Sequence, residues 1–245
     1  MKLFLDTTIQ IDRIFGSRKR RTAIRAVCKG KECCCSKYVL GEFYATIVLD
    51  AVSVYHVLLT EQDLNEAEKR VEELSRHRHS QRTHLIFIQL RQLFDNHIEE
   101  MKCEIESYFE DLHHMFFQGI HPDLQDGTQC QRANAHIIYE DESPILEGVF
   151  CNKKTCQCNV VDFWKRHQAL IALPLPAFEE KVEAVLKEIQ QGHYNVKGNN
   201  CRTLGDAVIV LEALDGDGEI CTTNRKDFSP LCELFQVELQ SPDYT

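Results

Sequence analysis

No apolar run in the 245-residue sequence reaches the about 18 residues that a membrane-spanning helix needs. Only Lys2 precedes the short run Leu3-Phe4-Leu5, and Asp6 ends it, too soon for a secretory leader. The expectation is a cytoplasmic protein with no membrane partner. Positive charge is in deficit: 28 Lys and Arg stand against 38 Asp and Glu, a net charge of −10. An acidic chain is not an obvious nucleic-acid binder, and phosphate contacts need a local cluster of Lys and Arg. Internal repeats are absent, and so is the paired C-x-x-C knuckle of common zinc modules.

What is present suits a folded globular chain. Hydrophobic residues make up 43% and aromatics 9%, which excludes disorder. Length allows one large domain or a core with a sizeable insertion. Twelve cysteines, in a reducing compartment, read as buried thiols or metal ligands rather than disulfides. Cys33-Cys34-Cys35 reads as buried structural thiols in a strand.

Strands and helices alternate at both ends. Leu3–Leu5 predicts a strand, Thr7–Phe15 a short helix closed by Gly16, and Arg18 onward a second helix. Glu32–Cys35 follows as a strand, and Ser36 caps a helix from Lys37 to about Val48. Val52–Leu59, rich in β-branched residues, predicts a third strand. Residues 61–118 predict two helical stretches, and the stripe Ile86, Leu90, Leu93, Phe94, Ile98, Met101, Ile105 and Phe109 marks a core face. Gly119–Cys158 reads as irregular. Pro176 opens a helix over Ala177–Gln191 that Gly192 ends. Thr203–Leu214 predicts a helix, Gly218–Thr223 a strand after a Gly-Asp-Gly turn, Ser229-Pro230 a helix start and Leu234–Leu239 a last strand. The pattern is an α/β fold on a parallel sheet, interrupted by a mainly helical insertion. Its parts are a core at 1–60 and 171–245 and an insertion at 61–170.

Four acids have one expected address. Asp6 follows the first strand, Glu42 lies in the apolar helix "SKYVLGEFYATIV", Asp206 begins "GDAVIVLEAL", and Asp227 follows a strand in "ICTTNRKDFSPL". Each has a plainer reading: a helix cap for Asp6, a solvent-edge Glu for Glu42, a Thr203-x-x-Asp206 capping box, and a turn residue for Asp227. Gly205 before Asp206 costs helix stability, so something approaches closely there. In a parallel sheet, residues just past the strands and in the first turns of the following helices meet at one edge. Four acids there raise one another's pKa values unless a cation intervenes, and all-oxygen ligands suit Mg²⁺ or Mn²⁺.

In order and local context, "LFLDTTIQID", "SKYVLGEFYA", "LGDAVIVLEAL" and "EICTTNRKDF" resemble the four successive motifs of PIN-domain nucleases, over roughly 1–60 and 195–240. The resemblance implies a three-layer α/β/α core and a metal-dependent endoribonuclease that hydrolyses phosphodiesters. It assigns Asp6, Glu42, Asp206 and Asp227 to the Mg²⁺ or Mn²⁺ site. Thr8 stands where the family supports its first Asp, and Thr222 and Asn224 match polar positions of the last motif. Many members have Asp where this chain has Asn224. RNA is the implied partner, with DNA as an alternative substrate. An antitoxin or other protein partner and a homo-oligomer also occur among such proteins. The contrasting readings are a non-catalytic scaffold on the same core and a haloacid-dehalogenase-like phosphatase, and Thr8, where that phosphatase needs a second Asp, argues against the latter. The insertion has no counterpart in the minimal fold.

Two further sets stand out. Cys130, Cys151, Cys156 and Cys158 give C-x20-C-x4-C-x-C, a candidate zinc set against the alternative of reduced thiols, with His121 or His136 able to replace a cysteine. Arg18, Lys19, Arg20, Arg21 and Arg25 follow Asp6 closely and are candidates for phosphate contact. The run "SRHRHSQRTH" at 75–84 reads as a solvated face or a phosphate or metal site.

Overall fold

The computed structural model describes residues 1–77, 82–94, 97–141, 143–171 and 178–245. In chain order its first elements are β1 (Lys2–Leu5), α1 (Thr7–Phe15), α2 (Arg18–Cys28), β2 (Glu32–Cys34), α3 (Lys37–Phe43), a π-helical turn (Tyr44–Val48) and α4 (Leu49–Thr60). The middle of the chain holds α5 (Leu64–His77), α6 (Arg82–Leu93), α7 (Ile98–Phe117), a 3₁₀ turn (Gln131–Asn134), β3 (His136–Glu140) and β4 (Ser143–Glu147). Then come α8 (Val160–Arg166), α9 (Gln168–Ile171), α10 (Glu180–Gln190), α11 (Asn199–Thr203), α12 (Gly205–Asp215), β5 (Gly218–Cys221), α13 (Arg225–Phe235) and β6 (Leu239–Gln240).

Residues 1–43, 116–134 and 149–245 form one compact unit, and 44–115 with 135–148 form another. These boundaries differ from the expected 1–60/61–170/171–245. The chain passes from one unit to the other inside a helix, after Phe43, and the cysteine-bearing residues 149–171 fold with the sheet rather than with the insertion.

The first unit carries a four-stranded parallel sheet in the order β2-β1-β5-β6. Leu3, Phe4 and Leu5 are all buried, as a central strand covered on both faces requires. The Gly-Asp-Gly turn before β5 exists for Phe4: a Cβ on Gly216 would lie 2.4 Å from Phe4 Cζ, and one on Gly218 2.7 Å from Phe4 Cδ2. Buried Glu219 is paired through one oxygen with Lys31 at 2.6 Å, which offsets the charge inside this strand.

The second unit packs α4, α5 and α6 around Val54, Tyr55, Leu58, Val71, Phe87 and Leu90, with Met101 and Ile105 of α7. The expected stripe supplies this core through Ile86, Leu90, Met101 and Ile105, with Phe94, Ile98 and Phe109 against its edge. α5 presents a solvated face laced by Lys69–Glu66, Arg70–Glu73 and Arg76–Glu72. Of the run at 75–84, Arg82 and Thr83 bind buried Asp50 at 3.1 Å each, and 78–81 lie outside the described residues.

Several expectations are corrected. Val52–Leu59 is helical, because Lys37–Thr60 is one 24-residue helical stretch. By length and composition this stretch could cross a membrane, although 56% of its most apolar window is buried in the fold. Nearly all-round burial erases the 3.6-residue pattern, and β-branched residues then imitate a strand. Gly119–Cys158 contains the antiparallel hairpin β3–β4, whose short strands and Pro144 conceal it. α13 begins at Arg225, four residues ahead of the expected start at Ser229, with Pro230 inside it, and it ends at Phe235, where Gln236 takes the left-handed conformation without glycine. The expected last strand shrinks to Leu239–Gln240. The described part of the 177–191 helix is Glu180–Gln190; Pro176 and Ala177 lie outside the described residues.

Candidate metal centre at the strand ends

β1 ends at Leu5, and Asp6 is the N-cap of α1, so the plain reading of this residue is realised. Its carboxylate does more than cap. Oδ1 accepts from Ile9 N–H at 2.9 Å and from Thr8 Oγ at 2.8 Å, and Oδ2 accepts from Thr222 Oγ at 2.6 Å. Thr222 follows β5, so the two central strands deliver acceptor and donor to one point. Thr223 extends the chain of hydroxyls, donating to Thr8 Oγ at 2.8 Å.

Glu42 arrives from α3, which Ser36 caps by accepting from Val39 N–H at 3.2 Å. Thr7 Oγ donates to Glu42 Oε2 at 2.6 Å, so neighbouring threonines orient different acids. Gly205 is where Glu42 meets α12. A Cβ there would lie 3.1 Å from Glu42 Oε1 and 3.0 Å from Tyr38 Oη. That is the close approach the sequence implied. Asp206 is the next residue, in the first turn of α12. The capping box is not formed: α12 has Leu204 at its N-cap with no side-chain cap bond, and Thr203 Oγ donates to Asn199 O at 3.0 Å. Asp227 stands in the first turn of α13 and accepts from Asn224 Nδ2 at 2.9 Å, while Asn224 N–H donates to Thr222 Oγ at 2.9 Å. A pocket of about 220 Å³ opens beside Asp206 and Asp227, walled by Phe178, Val182 and Lys226.

The electrostatics link these groups. Burial pushes Asp6 up to about 6, against the bonds from Thr222, Ile9 and Thr8. Burial also pushes Asp206 up to about 7, and Glu42, Asp6 and Asp227 add to the rise. Every charged neighbour that shifts Asp206 is thus itself an acid. Glu42 is raised by burial too, offset by Thr7 and by Arg132 and Arg202. Buried carboxylates that raise one another's pKa values suit a hard divalent cation, and the donor set is all oxygen. Gly205→Ala tests the contact at α12. Helix propensity favours it by up to ~1 kcal/mol. Displacing Glu42 by a few tenths of an ångström is nevertheless expected to weaken Mn²⁺ binding about 10-fold with the melting temperature nearly unchanged, read by calorimetric titration beside thermal melts.

Among the described residues, one group has three donor atoms all within 4.8 Å of one another: Glu68, Glu72 and His84, in the second unit. Glu68 is paired there with Arg91 and Glu72 with Arg76. The strand-end acids are set more widely than that, and of the four only Asp206 and Asp227 line the pocket. Arg18, Lys19, Arg20, Arg21 and Arg25 are exposed on α2, and Arg20 is tied to Asp12 at 2.8 Å and stacked over Tyr244. Cys130, Cys151, Cys156 and Cys158 lie in the first unit, beside Cys201. Sequence reasoning missed Thr7 and Thr223; the doubled threonines after Asp6 and before Asn224 were the available signal. No protein-family model matches the chain, and comparison with curated proteins and with solved structures returns no match.

Proposed function

We propose that the sheet-bearing unit is a PIN-like core and that the chain is a divalent-metal-dependent endoribonuclease. One observation carries this reading. Asp6, Glu42 and Asp206 come from three distant segments to one strand edge, and the charged groups that shift Asp206 are all acids. A hard divalent cation would relieve the mutual repulsion of such buried carboxylates.

In this reading Asp6, Glu42 and Asp206 hold Mg²⁺ or Mn²⁺, with Asp227 at the outer side. The bound ion would supply charge neutralisation at a phosphodiester and would acidify water. The chain's own groups position what it acts on. Thr8 and Thr222 fix both oxygens of Asp6, and Thr7 fixes one oxygen of Glu42. Phe178 and Lys226, walling the pocket beside Asp206, offer a face for a base and a cation for a phosphate. The exposed basic face of α2 contacts the backbone without reading sequence. Twelve free thiols suit a reducing, cytoplasmic setting.

The test is cleavage of a mixed RNA pool with Mn²⁺. Wild type is expected to cut, leaving 5′-phosphate ends, and Asp6→Asn and Asp206→Asn are expected to lose at least about 100-fold in rate. Equal cutting by all three proteins would end this reading. Cutting of single-stranded DNA instead would keep the chemistry and change the substrate.

A further inference from the structure

The second unit holds a constellation that the strand-edge site does not use. Glu68 and Glu72 stand one turn apart on α5 and so face the same side of that helix, and His84 comes from the first turn of α6, which packs against it. One ligand atom from each lies within 4.8 Å of the other two. No three cysteine sulfurs share that spacing among the described residues, so the set expected at Cys130, Cys151, Cys156 and Cys158 is not brought together as a zinc cage.

The histidine is fixed in place. Arg82 and Thr83, immediately before it, bond buried Asp50, and the His84 N–H donates at 3.2 Å to Ser75 Oγ, itself buried on α5. The imidazole Nε2 is closed off from solvent and has no hydrogen-bond partner, a costly state for a ring nitrogen. Glu68 Oε1 is 3.8 Å from it. That is too long for a hydrogen bond and close to the about 3.4 Å that separates two ligands of one tetrahedral ion. The carboxylates are held from behind. Arg91 bonds Glu68 Oε2, and Arg76 bonds Glu72 Oε2 at 3.0 Å, so each arginine takes one oxygen and sets the direction of the other. Arg76 is 75% exposed and Glu72 40%, so that pair is well hydrated and opposes an incoming ion little.

We propose that Glu68, Glu72 and His84 form a second metal site, which takes one Zn²⁺ with water in the remaining position. An imidazole nitrogen beside two carboxylates selects an ion of the later transition series, whereas the all-oxygen set at the strand edge suits Mg²⁺ or Mn²⁺. The Nε2 lone pair of the neutral imidazole and one oxygen of each carboxylate bond the ion. It ties the middle of α5 to the start of α6 and so clasps two helices of the second unit, across the run at 75–84.

The inference stands whether or not the chain cuts RNA. Its probe is Co²⁺, titrated into the chelator-treated full-length chain and followed by visible absorption. The expected signal is one saturable set of d–d bands without the intense sulfur-to-cobalt absorption that thiolate ligands give, and Zn²⁺ is expected to displace it. His84→Gln and Glu72→Gln are each expected to weaken binding at least about 10-fold. Glu72 is 40% exposed, so Glu72→Gln keeps the test decisive if His84→Gln fails to fold. Asp206→Asn is expected to leave the signal whole, which separates this ion from the one at the strand edge. Zn²⁺ at about 100 times its Kd is expected to raise the thermal midpoint of wild type by about 5 °C and to leave that of His84→Gln in place. No cobalt uptake, bands from sulfur alone, or His84→Gln and Glu72→Gln both binding as wild type does would each overturn the proposal.

Discussion

Asp206→Asn is expected to stabilise the metal-free protein while removing its Mn²⁺ binding. The carboxyl is pushed up to about 7 by burial and by Glu42, Asp6 and Asp227. At pH 8 it is ionised in the fold against that resistance. Moving from the ordinary 3.8 to about 7 corresponds to ~4 kcal/mol at 1.36 kcal/mol per unit. The side chain is partly open to water, which screens the repulsion, so a gain of ~1–3 kcal/mol is the reasonable expectation. Asparagine keeps the shape and sheds the charge. Urea unfolding at pH 8 with metal removed measures the difference as a shift in midpoint at constant slope. Asp6→Asn gains less, because Asp6 accepts from Ile9, Thr8 and Thr222 and an amide cannot receive all three. With saturating Mn²⁺ the order is expected to invert, since on this reading the ion would stabilise wild type alone. A drop in metal-free stability on Asp206→Asn would show that the carboxylate is a structural anchor and that no cation is needed there.

The strand-edge acids were legible because burial and position are both written locally. A carboxylate after Leu3-Phe4-Leu5 and a glutamate inside the apolar α3 conflict with their surroundings, and Gly205 conflicts with its helix. Such conflicts mark function more often than accident. What the sequence hides is equally physical. α4 is buried on nearly all sides, so its periodicity vanishes and a strand is predicted. The unit boundaries fall inside a helix and after short turns, where composition does not change. Cys201 lies far along the chain from Tyr38, and only the third dimension brings its carbonyl to the Tyr38 hydroxyl at 3.3 Å. The same holds for Arg132, whose burial no local pattern announces.

Mn²⁺ affinity is expected to rise steeply with pH and then level off near neutrality. Asp6 and Asp206 are pushed up to about 6 and about 7, so below pH 6 both hold protons in the metal-free fold. An incoming cation must displace them. Two displaced protons give up to ~100-fold in affinity per pH unit below about 6, falling to ~10-fold between 6 and 7 and to little above 7.5. The metal-free chain runs the opposite way. The raised pKa values mean that the fold binds more protons than the unfolded chain between about 4 and 7, so its stability falls as pH rises across that window. Metal therefore matters most for stability at high pH, where the carboxylates are ionised and repel. Thr222→Val sharpens the test. It removes the 2.6 Å bond that holds down the pKa of Asp6, so the affinity curve moves to higher pH by up to about 1 unit without loss of a ligand. Titration of Mn²⁺ into wild type and Thr222→Val from pH 5.5 to 8 gives both curves. An affinity that stays flat from pH 5.5 to 7.5 would mean that the ion does not meet these carboxyls, and superimposed curves for the two proteins would remove Asp6 from the site.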